Sequence, residues 1–245
     1  MTKKGIVKRL LDYGEEHATE KREKVVFTPN KDANDFILSN PNAFLFAVIL
    51  DERIEAERAW TGPYLLKERL GHLNPAKIAA MSEGELAKTC AAKPEIHFEY
   101  NKAARRIRKA CELLNRKYNG QADNIWNENP RTDDLQRRFE EFDGIGQKKA
   151  SMAVNILVRD LGVSAQNKQW IDVSDDIHVR RVFQRTALID TYTHEALLNA
   201  ARDLNPDYPG ALDLPSWLIG RRFCHARGPE CSSCPLEKDC PKVRV

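Results

Sequence analysis

Four of the six cysteines in this 245-residue chain are grouped near its C-terminal end. The spacing Cys-x6-Cys-x2-Cys-x5-Cys is formed by Cys224, Cys231, Cys234 and Cys240. The other two, Cys90 and Cys111, stand alone. Four thiols this close in sequence can form two disulfides, bind a zinc ion or hold an iron-sulfur cluster.

The spacing favours a 4Fe-4S cluster over the alternatives. Zinc sites usually combine two short Cys-x2-Cys pairs, and this segment contains one such pair. A cluster spreads its iron corners farther apart than the ligands of a single ion, which suits the longer x6 and x5 loops. The N-terminal sequence MTKKGIVKRLLDYGEE has no signal-peptide pattern, so we expect a cytoplasmic protein, where disulfides are rare. Zinc and unligated thiols remain the alternatives.

Residues 131–161 predict two helices joined by the turn Asp-Gly-Ile-Gly. Gly144 and Gly146 permit positive φ and leave room for an approaching ligand. The exposed amides at the start of the second helix form an anion site suited to a backbone phosphate. Helical corners with glycine are also common without any ligand.

Lys148 lies in the first turn of the second predicted helix. The positive end of the helix dipole opposes its charge there and favours the neutral amine, which is the form that acts as a nucleophile. The alternative is an exposed contact to a phosphate. Lys149, the next residue, offers the same chemistry if the register shifts by one.

The segment Ser174-Asp175-Asp176 precedes a helix that we expect to begin near Ile177. An acid at such a position is usually an N-cap. Because one cap suffices, the second carboxylate is free to face a cleft.

Charge is concentrated locally rather than overall. The chain has 39 basic and 36 acidic residues, and a net charge of +3 does not by itself indicate a nucleic-acid partner. Residues 102–117 nevertheless carry seven cations and one acid, a basic stripe that is either a solvated helix face or a nucleic-acid contact. Arg222 and Arg227 lie beside the first of the grouped cysteines and suit phosphate contacts.

The apolar pattern predicts an all-α protein without a membrane span. Apolar residues recur at helical spacing, and Ser82 with Glu85 forms a capping-box pattern. No apolar run reaches the roughly 18 residues that a membrane span requires. The polar stretch after Gly162 indicates a boundary, so we expect a compact unit over 36–165, flanked by 1–35 and 166–245.

In their order along the chain, the motifs resemble the endonuclease III family of helix-hairpin-helix DNA glycosylases. DGIGQKKA is similar to the family hairpin, DIHVRRV to its catalytic-acid segment, and the cysteine spacing to its cluster loop. The resemblance implies a two-lobed all-α fold with DNA in the cleft. A six-helix barrel over 36–165 would carry the hairpin, and 1–35 with 166–245 would form a second helical domain bearing the 4Fe-4S cluster.

The resemblance also implies an activity in base excision repair. A protein of this family would remove a damaged or mismatched base from double-stranded DNA, with Lys148 as Schiff-base nucleophile for AP-lyase cleavage. We expect a monomer, since one active site in a cleft requires no partner subunit. Asp176, the Asp of Asp-x-His-Val, would be the catalytic carboxylate, and Asp175 the cap. Residues implied to contact DNA are Gly144, Ile145, Gly146, Gln147, Lys149, Arg53, Arg222 and Arg227. A monofunctional glycosylase and a non-catalytic iron-sulfur DNA-binding protein are the alternatives.

One segment departs from the family pattern. Family members usually carry Ser-Ala-Gln after an apolar helix, and the glutamine fills the gap left by the flipped nucleotide. This chain has Ile49-Leu50-Asp51-Glu52-Arg53, so Arg53 would replace the glutamine, with two acids beside it. Because of this departure, the sequence does not identify the base lesion. The oxidised pyrimidines that are usual substrates of the family cannot be assigned to this chain.

Overall fold

The structure, a computed structural model, describes residues 3–18 and 25–245. These residues form twelve α-helices joined by turns and short irregular segments. In chain order the helices are α1 (Lys3–His17), α2 (Lys31–Ser39), α3 (Pro41–Leu50), α4 (Ala56–Leu70), α5 (Pro75–Ala80), α6 (Glu83–Ala91), α7 (Tyr100–Lys117), α8 (Thr132–Glu140), α9 (Gln147–Asn155), α10 (Ile177–Arg185), α11 (His194–Leu204) and α12 (Asp213–Arg222).

The predicted all-α class is confirmed. Within the two described ranges there is no β-strand, and pairing of the strand type is limited to an isolated bridge between Arg131 and Gln166. One π-helical turn, Ile156–Asp160, continues directly from α9. The segment from Gly162 to Asp176 is irregular except for a 3-10 turn at Lys168–Trp170, as its polar composition indicated.

Local sequence signals explain where several helices begin. The Ser82 hydroxyl accepts the Glu85 amide while the Glu85 carboxylate accepts the Ser82 amide, so the predicted capping box is confirmed at α6. Asn40 caps α3 through the Ala43 amide, and Pro41 supplies the first helical residue.

Contacts divide the chain into two compact units. The first comprises Met1–Glu20, Arg131–Gln136 and Ala150–Val245, and the second Lys21–Pro130 and Arg137–Lys149. The core of the first unit joins α1, α10, α11 and α12 through large side chains such as Leu10, Phe183, Leu197 and Ile219. In the second unit, α3 is buried along its whole length.

The contact division differs from the boundaries at 36 and 165 expected from composition. Residues 150–165 group with the first unit, and residues 25–35 with the second. The assignment of a barrel domain to 36–165 therefore stays a prediction.

No single helix in the described chain is long and apolar enough to cross a membrane. Helices α2 and α3 taken together are long and apolar enough, but the chain bends by 115° between them.

Candidate functional site

The predicted glycine hairpin lies between α8 and α9, and residues 141–146 form the hairpin turn. Gly144 has φ of +89°, and a Cβ atom there would lie 2.6 Å from Cζ of Arg106. Both the backbone and the neighbouring side chain therefore require glycine. Gly146 has open space around it. The Ile145 amide donates a 2.9 Å hydrogen bond to the Phe142 carbonyl, which closes the turn.

The start of α9 offers backbone amides to an anion. Gly146 is exposed, and Gly144 and Gln147 are partly exposed. The first amides of a helix have no acceptor within it, so this end of α9 suits a phosphate. Ile145 differs from the other predicted contacts because it is 5% exposed and its amide is already bonded.

The two adjacent lysines of α9 have opposite surroundings. Lys148 is exposed, whereas Lys149 is 7% exposed and donates a 2.8 Å hydrogen bond from Nζ to the carbonyl of Ile49. Burial lowers the pKa of Lys149 to about 8, although Glu52 and Asp51 oppose that change. The expectation that Lys149 contacts DNA stays a prediction, and in this structure its amine points into the protein.

Glu52 is the acid at the centre of this region. Its carboxylate accepts a 2.6 Å hydrogen bond from Lys102, forms an ion pair with Arg106 and lies 3.8 Å from Nζ of Lys149. Partial burial favours the neutral acid, but the hydrogen bonds from Lys102 and Arg106 outweigh it and lower the pKa of Glu52 to about 2. The carboxylate is therefore ionised at neutral pH.

Arg53 is presented outward in the turn after α3. Residues 51–54 form this Arg53 turn, in which Arg53 adopts φ of +59° with a side chain that is 70% exposed. Its guanidinium carbon lies 5.7 Å from the centre of the Phe98 ring, and Nη1 lies 3.9 Å from Glu99. The side chain is thus accessible to a ligand, as its predicted role requires.

Two residues that sequence reasoning missed support this turn. Nε2 of His97 donates a 3.0 Å hydrogen bond to the Glu52 carbonyl, while Nδ1 accepts the Glu99 amide. Burial lowers the pKa of His97, which keeps the ring neutral with both nitrogens used. Phe98 is 44% exposed beside Arg53. The available signal was the aromatic run Ile-His-Phe-Glu-Tyr immediately before the basic helix.

The basic stripe on α7 is largely paired with acids. At least five of its seven cations form ion pairs, and the paired cations are Lys102, Arg106, Arg108, Lys109 and Lys117. Their acids include Glu52, Asp143 and Glu141, from outside the helix. The stripe therefore offers less positive charge to phosphate than its sequence indicates.

In the first unit, α10 begins at Ile177 as predicted, but its N-cap is not the acid that was expected to cap it. Asp176 is the N-cap, and its Oδ1 accepts the His178 amide at 2.8 Å. Asp175 instead accepts hydrogen bonds from Arg180 at 2.6 Å and from Tyr192, and contacts His194 at 2.9 Å. The expectation that Asp175 is the cap is wrong, because the cap must directly precede the first helical residue.

The chain before Asp176 is tethered at successive residues. The Gly210 amide donates to the Ile171 carbonyl at 2.8 Å, and the Asn155 side chain donates to the Asp172 carbonyl at 3.0 Å. The buried carboxylate of Asp213 accepts the Ser174 amide at 2.6 Å. Burial raises the pKa of Asp213 to about 6, against the hydrogen bond from Ser174. Asp176 is 7% exposed at the end of this tethered segment.

The structure brings the four grouped cysteines around one small cavity. All four line it, together with Arg185, Ile219 and Leu236. The four cysteines are free and half-buried, and Cys224, Cys234 and Cys240 pack against the apolar core of the first unit. In the described chain, no three His, Cys, Asp or Glu side chains converge as ligands of a single metal ion would.

Arg185 supports the loop between the first two of these cysteines. It is 9% exposed and donates to the carbonyls of His225 and Ala226 at 2.6 and 3.1 Å. It also lies 3.5 Å from the sulfur of Cys224. A cationic donor beside four thiols lining one cavity suits an anionic thiolate site. Arg222 and Arg227 are exposed, consistent with their predicted phosphate contacts.

Comparison with known families identifies the class of protein. Residues 46–206 match the family described as the HhH-GPD superfamily of base excision DNA repair proteins, and the chain belongs to this superfamily. The match includes the hairpin, Lys148 and Asp176. The predicted resemblance to endonuclease III is confirmed at this level.

Among individual proteins, the chain is similar to Endonuclease III of Escherichia coli strain K12, with 27% identity over 143 residues. Endonuclease III of Buchnera aphidicola subsp. Baizongia pistaciae is 28% identical over the same length. The alignments cover 58% of this chain and 58% and 57% of those two proteins, respectively.

The fold is also similar to solved structures. A trapped endonuclease III–DNA covalent intermediate has a TM-score of 0.69 at 22% identity, covering 99% of this chain and 97% of that one. A thermostable thymine-DNA glycosylase has a TM-score of 0.66 at 16% identity, with 98% and 95% covered. These likenesses establish the endonuclease III type of fold.

Proposed function

We propose that this protein is a DNA glycosylase that removes a damaged or mismatched base from duplex DNA and then cleaves the strand through a Schiff base on Lys148. The observation that carries the proposal is the position of Lys148, exposed in the first turn of α9 directly after the glycine hairpin. The competing lysine, Lys149, is buried with its amine bonded to Ile49. The family match over residues 46–206 supports the repair context.

The chemistry follows from the two residue types. The neutral amine of Lys148 attacks C1′ of the flipped nucleotide as the C1′–N bond breaks, and the bonding electrons leave with the base, which takes up a proton. The Asp176 carboxylate stabilises the positive charge that develops on the sugar. The C1′–O4′ bond then breaks, O4′ keeps the bonding electrons and takes up a proton, and C1′ and the lysine nitrogen form an iminium. Loss of a C2′ proton from this ring-opened iminium expels the 3′ phosphate. Monofunctional relatives would use water instead of Lys148.

Backbone and cationic groups would hold the DNA. We assign the phosphate grip to Gly144, Gly146 and Gln147 at the start of α9. Arg53 would enter the gap left by the flipped nucleotide, because its side chain is exposed on a fixed turn. Arg222 and Arg227 would add phosphate contacts. We further propose that the protein acts as a cytoplasmic monomer on its duplex substrate.

We also propose a 4Fe-4S cluster held by Cys224, Cys231, Cys234 and Cys240. Four thiols that line one cavity beside a buried arginine support this choice. When bound, the cluster crosslinks four thiolates and so fixes the C-terminal loop. A purified protein with broad absorption near about 400 nm and iron in a fourfold ratio would support it. Zinc without iron would contradict it.

Borohydride trapping tests the lyase activity. The protein is incubated with duplexes carrying oxidised pyrimidines, uracil, mismatched thymine, 8-oxoguanine, alkylated purines or an abasic site. Borohydride present during the reaction reduces any Schiff base to a stable covalent adduct. We expect a covalent adduct with the abasic duplex and with one lesion class. The Lys148→Ala variant loses the adduct, while the exposed-lysine control Lys88→Ala retains it.

Two outcomes separate the alternatives. Base release without an adduct in the unmodified protein identifies a monofunctional glycosylase. Neither release nor adduct on any duplex, in a protein that still binds DNA, identifies a non-catalytic DNA-binding protein. An Asp176→Asn variant with full base release on the best substrate would remove Asp176 from the catalytic role.

A further inference from the structure

Glu52 contacts three segments of the second unit, which are α7, the start of α9 and the residues just before α7. The first two contact its carboxylate and the third its backbone carbonyl. Its carboxylate binds Lys102 at 2.6 Å and Arg106, both on α7. The same carboxylate lies 3.8 Å from Nζ of Lys149 in the first turn of α9. Its backbone carbonyl accepts the hydrogen bond from His97, which precedes α7. A single residue of the Arg53 turn thus contacts both α7 and α9, and α9 begins directly after the hairpin turn.

Arg106 extends this contact to the hairpin turn itself. The space that a Gly144 side chain would fill is occupied by the Arg106 guanidinium. Nε of Arg106 also lies 3.8 Å from Asp143. With 14% of its side chain exposed, Arg106 is packed between the hairpin turn and Glu52. Movement of one of these two turns would therefore disturb the other.

Arg53 follows Glu52 directly and has an unusual backbone. A non-glycine residue with φ of +59° is strained and persists only where its surroundings determine the conformation. The Arg53 side chain is 70% exposed and contributes little to holding this conformation. The hydrogen bonds and ion pairs of the preceding residue, Glu52, hold the turn instead. The position of Arg53 relative to the hairpin turn therefore depends on Glu52.

We propose that Glu52 is a positioning residue that couples the hairpin turn to the Arg53 turn, so that both engage DNA as one rigid unit. This inference rests on the proposed function, which gives DNA as the ligand. Binding of a phosphate by α9 would then set the place at which Arg53 meets the base stack. Because the geometry exists before binding, the cost of ordering the Arg53 turn is reduced.

The first test compares Glu52→Gln with Glu68→Gln, an exposed glutamate paired with Lys67 in the same unit. Affinities are measured for an undamaged duplex and for one containing a tetrahydrofuran abasic analogue. We expect Glu52→Gln to reduce the preference for the abasic duplex about tenfold, because a preorganised contact is lost. Affinity for undamaged DNA stays equal or rises, because a negative charge beside three cations is removed. An unchanged preference overturns the proposal.

A double-mutant cycle shows whether Glu52 acts through Arg53. Arg53→Ala also lowers the preference for the abasic duplex. If Glu52 works by positioning Arg53, adding Glu52→Gln to Arg53→Ala causes no further loss. Independent, additive losses in the double variant contradict coupling through this turn.

Amide hydrogen exchange gives a readout that requires no DNA. Glu52→Gln is expected to accelerate exchange in both residues 51–54 and 143–147, and acceleration in the first segment alone overturns the coupling. If Glu52→Gln does not fold, Lys102→Gln removes the 2.6 Å bond from a partly exposed partner and is expected to act in the same direction. A wild-type protein without preference for the abasic duplex contradicts the proposed function, while the exchange result still decides the coupling.

Discussion

The amine of Lys149 donates a 2.8 Å hydrogen bond to the carbonyl oxygen of Ile49, one residue before the end of α3. Lys148, the preceding residue in the same first turn of α9, is exposed. The two neighbouring lysines therefore differ in their accessibility to solvent. A buried amine bonded to a carbonyl must leave that site before it can attack an external electrophile. The difference can be measured without DNA.

Amine labelling is expected to distinguish the two lysines. Under reductive methylation, Lys148 should react at least as fast as the exposed Lys88, while Lys149 reacts at least about tenfold more slowly than Lys88. A local opening cost of about 1.4 kcal/mol produces that factor. Peptide mass spectrometry at several times gives the rates, and denatured protein serves as the reference. Equal labelling of Lys148 and Lys149 in the native protein would contradict the burial of Lys149.

Alanine substitutions in the hairpin turn should separate folding from DNA contact. Gly144→Ala combines a positive φ with a clash against Arg106, so we expect a loss of about 2 kcal/mol in the free energy of unfolding. Gly146→Ala meets open space and should leave stability unchanged. Its methyl group should nevertheless weaken DNA binding if a phosphate approaches this backbone. Urea denaturation and duplex titration provide the two measurements, and a destabilised Gly146→Ala variant would refute the assignment.

Removing the buried charge of Asp213 should stabilise the protein at neutral pH. Its pKa is about 6 in the folded chain against 3.8 ordinarily, so ionisation above pH 6 disfavours the folded state. Asp213→Asn keeps an oxygen for the Ser174 amide and avoids that cost, which is about 2–3 kcal/mol. The gain should be fully present at pH 7, decrease as the pH falls below about 6 and vanish below the ordinary value of 3.8, where the wild-type acid is protonated in both the folded and the unfolded states. Thermal melts across this range test it, and a destabilised variant at pH 7 would show that the charge is required.

Arg185→Met should release the loop that follows Cys224. The change removes the hydrogen-bond donor of the His225 and Ala226 carbonyls, at about 1 kcal/mol for each bond because water can reach this loop. We expect a lower melting temperature and faster loss of iron. The loss of iron is measured as the decrease in absorbance near about 400 nm after a chelator is added. Arg227→Met, in the same loop with an exposed side chain, is the matched control. Identical iron loss in both variants would contradict the role of Arg185.

The features that local sequence predicts well are those that depend on neighbouring residues. The capping box of Ser82 and Glu85 and the start of α10 at Ile177 are set within one helical turn. The glycine at position 144 also follows from local backbone geometry. Helical periodicity is sufficient for the all-α class, since it reflects which face of each helix is buried.

Side-chain partners distant in the sequence were not predictable. Glu52, Asp143 and Glu141 lie 24 to 54 residues from the α7 cations with which they form hydrogen bonds, so the sequence pattern of the stripe did not indicate this pairing. Burial of Lys149 depends on Ile49, which is 100 residues away. The hydrogen bonds of Asp175 were not predictable for a similar reason, because Tyr192 and His194 contact it from the segment after α10.

The three cations around Glu52 also have an evolutionary consequence. A mutation that neutralises Glu52 leaves Lys102, Arg106 and Lys149 without their shared counter-ion, and replacement of Lys149 leaves the Ile49 carbonyl without its donor. Single replacements at these positions are therefore selected against more strongly than joint ones. Among homologous chains, the residues at positions 52 and 149 should change together, so that a lineage keeps both of them or has replaced both.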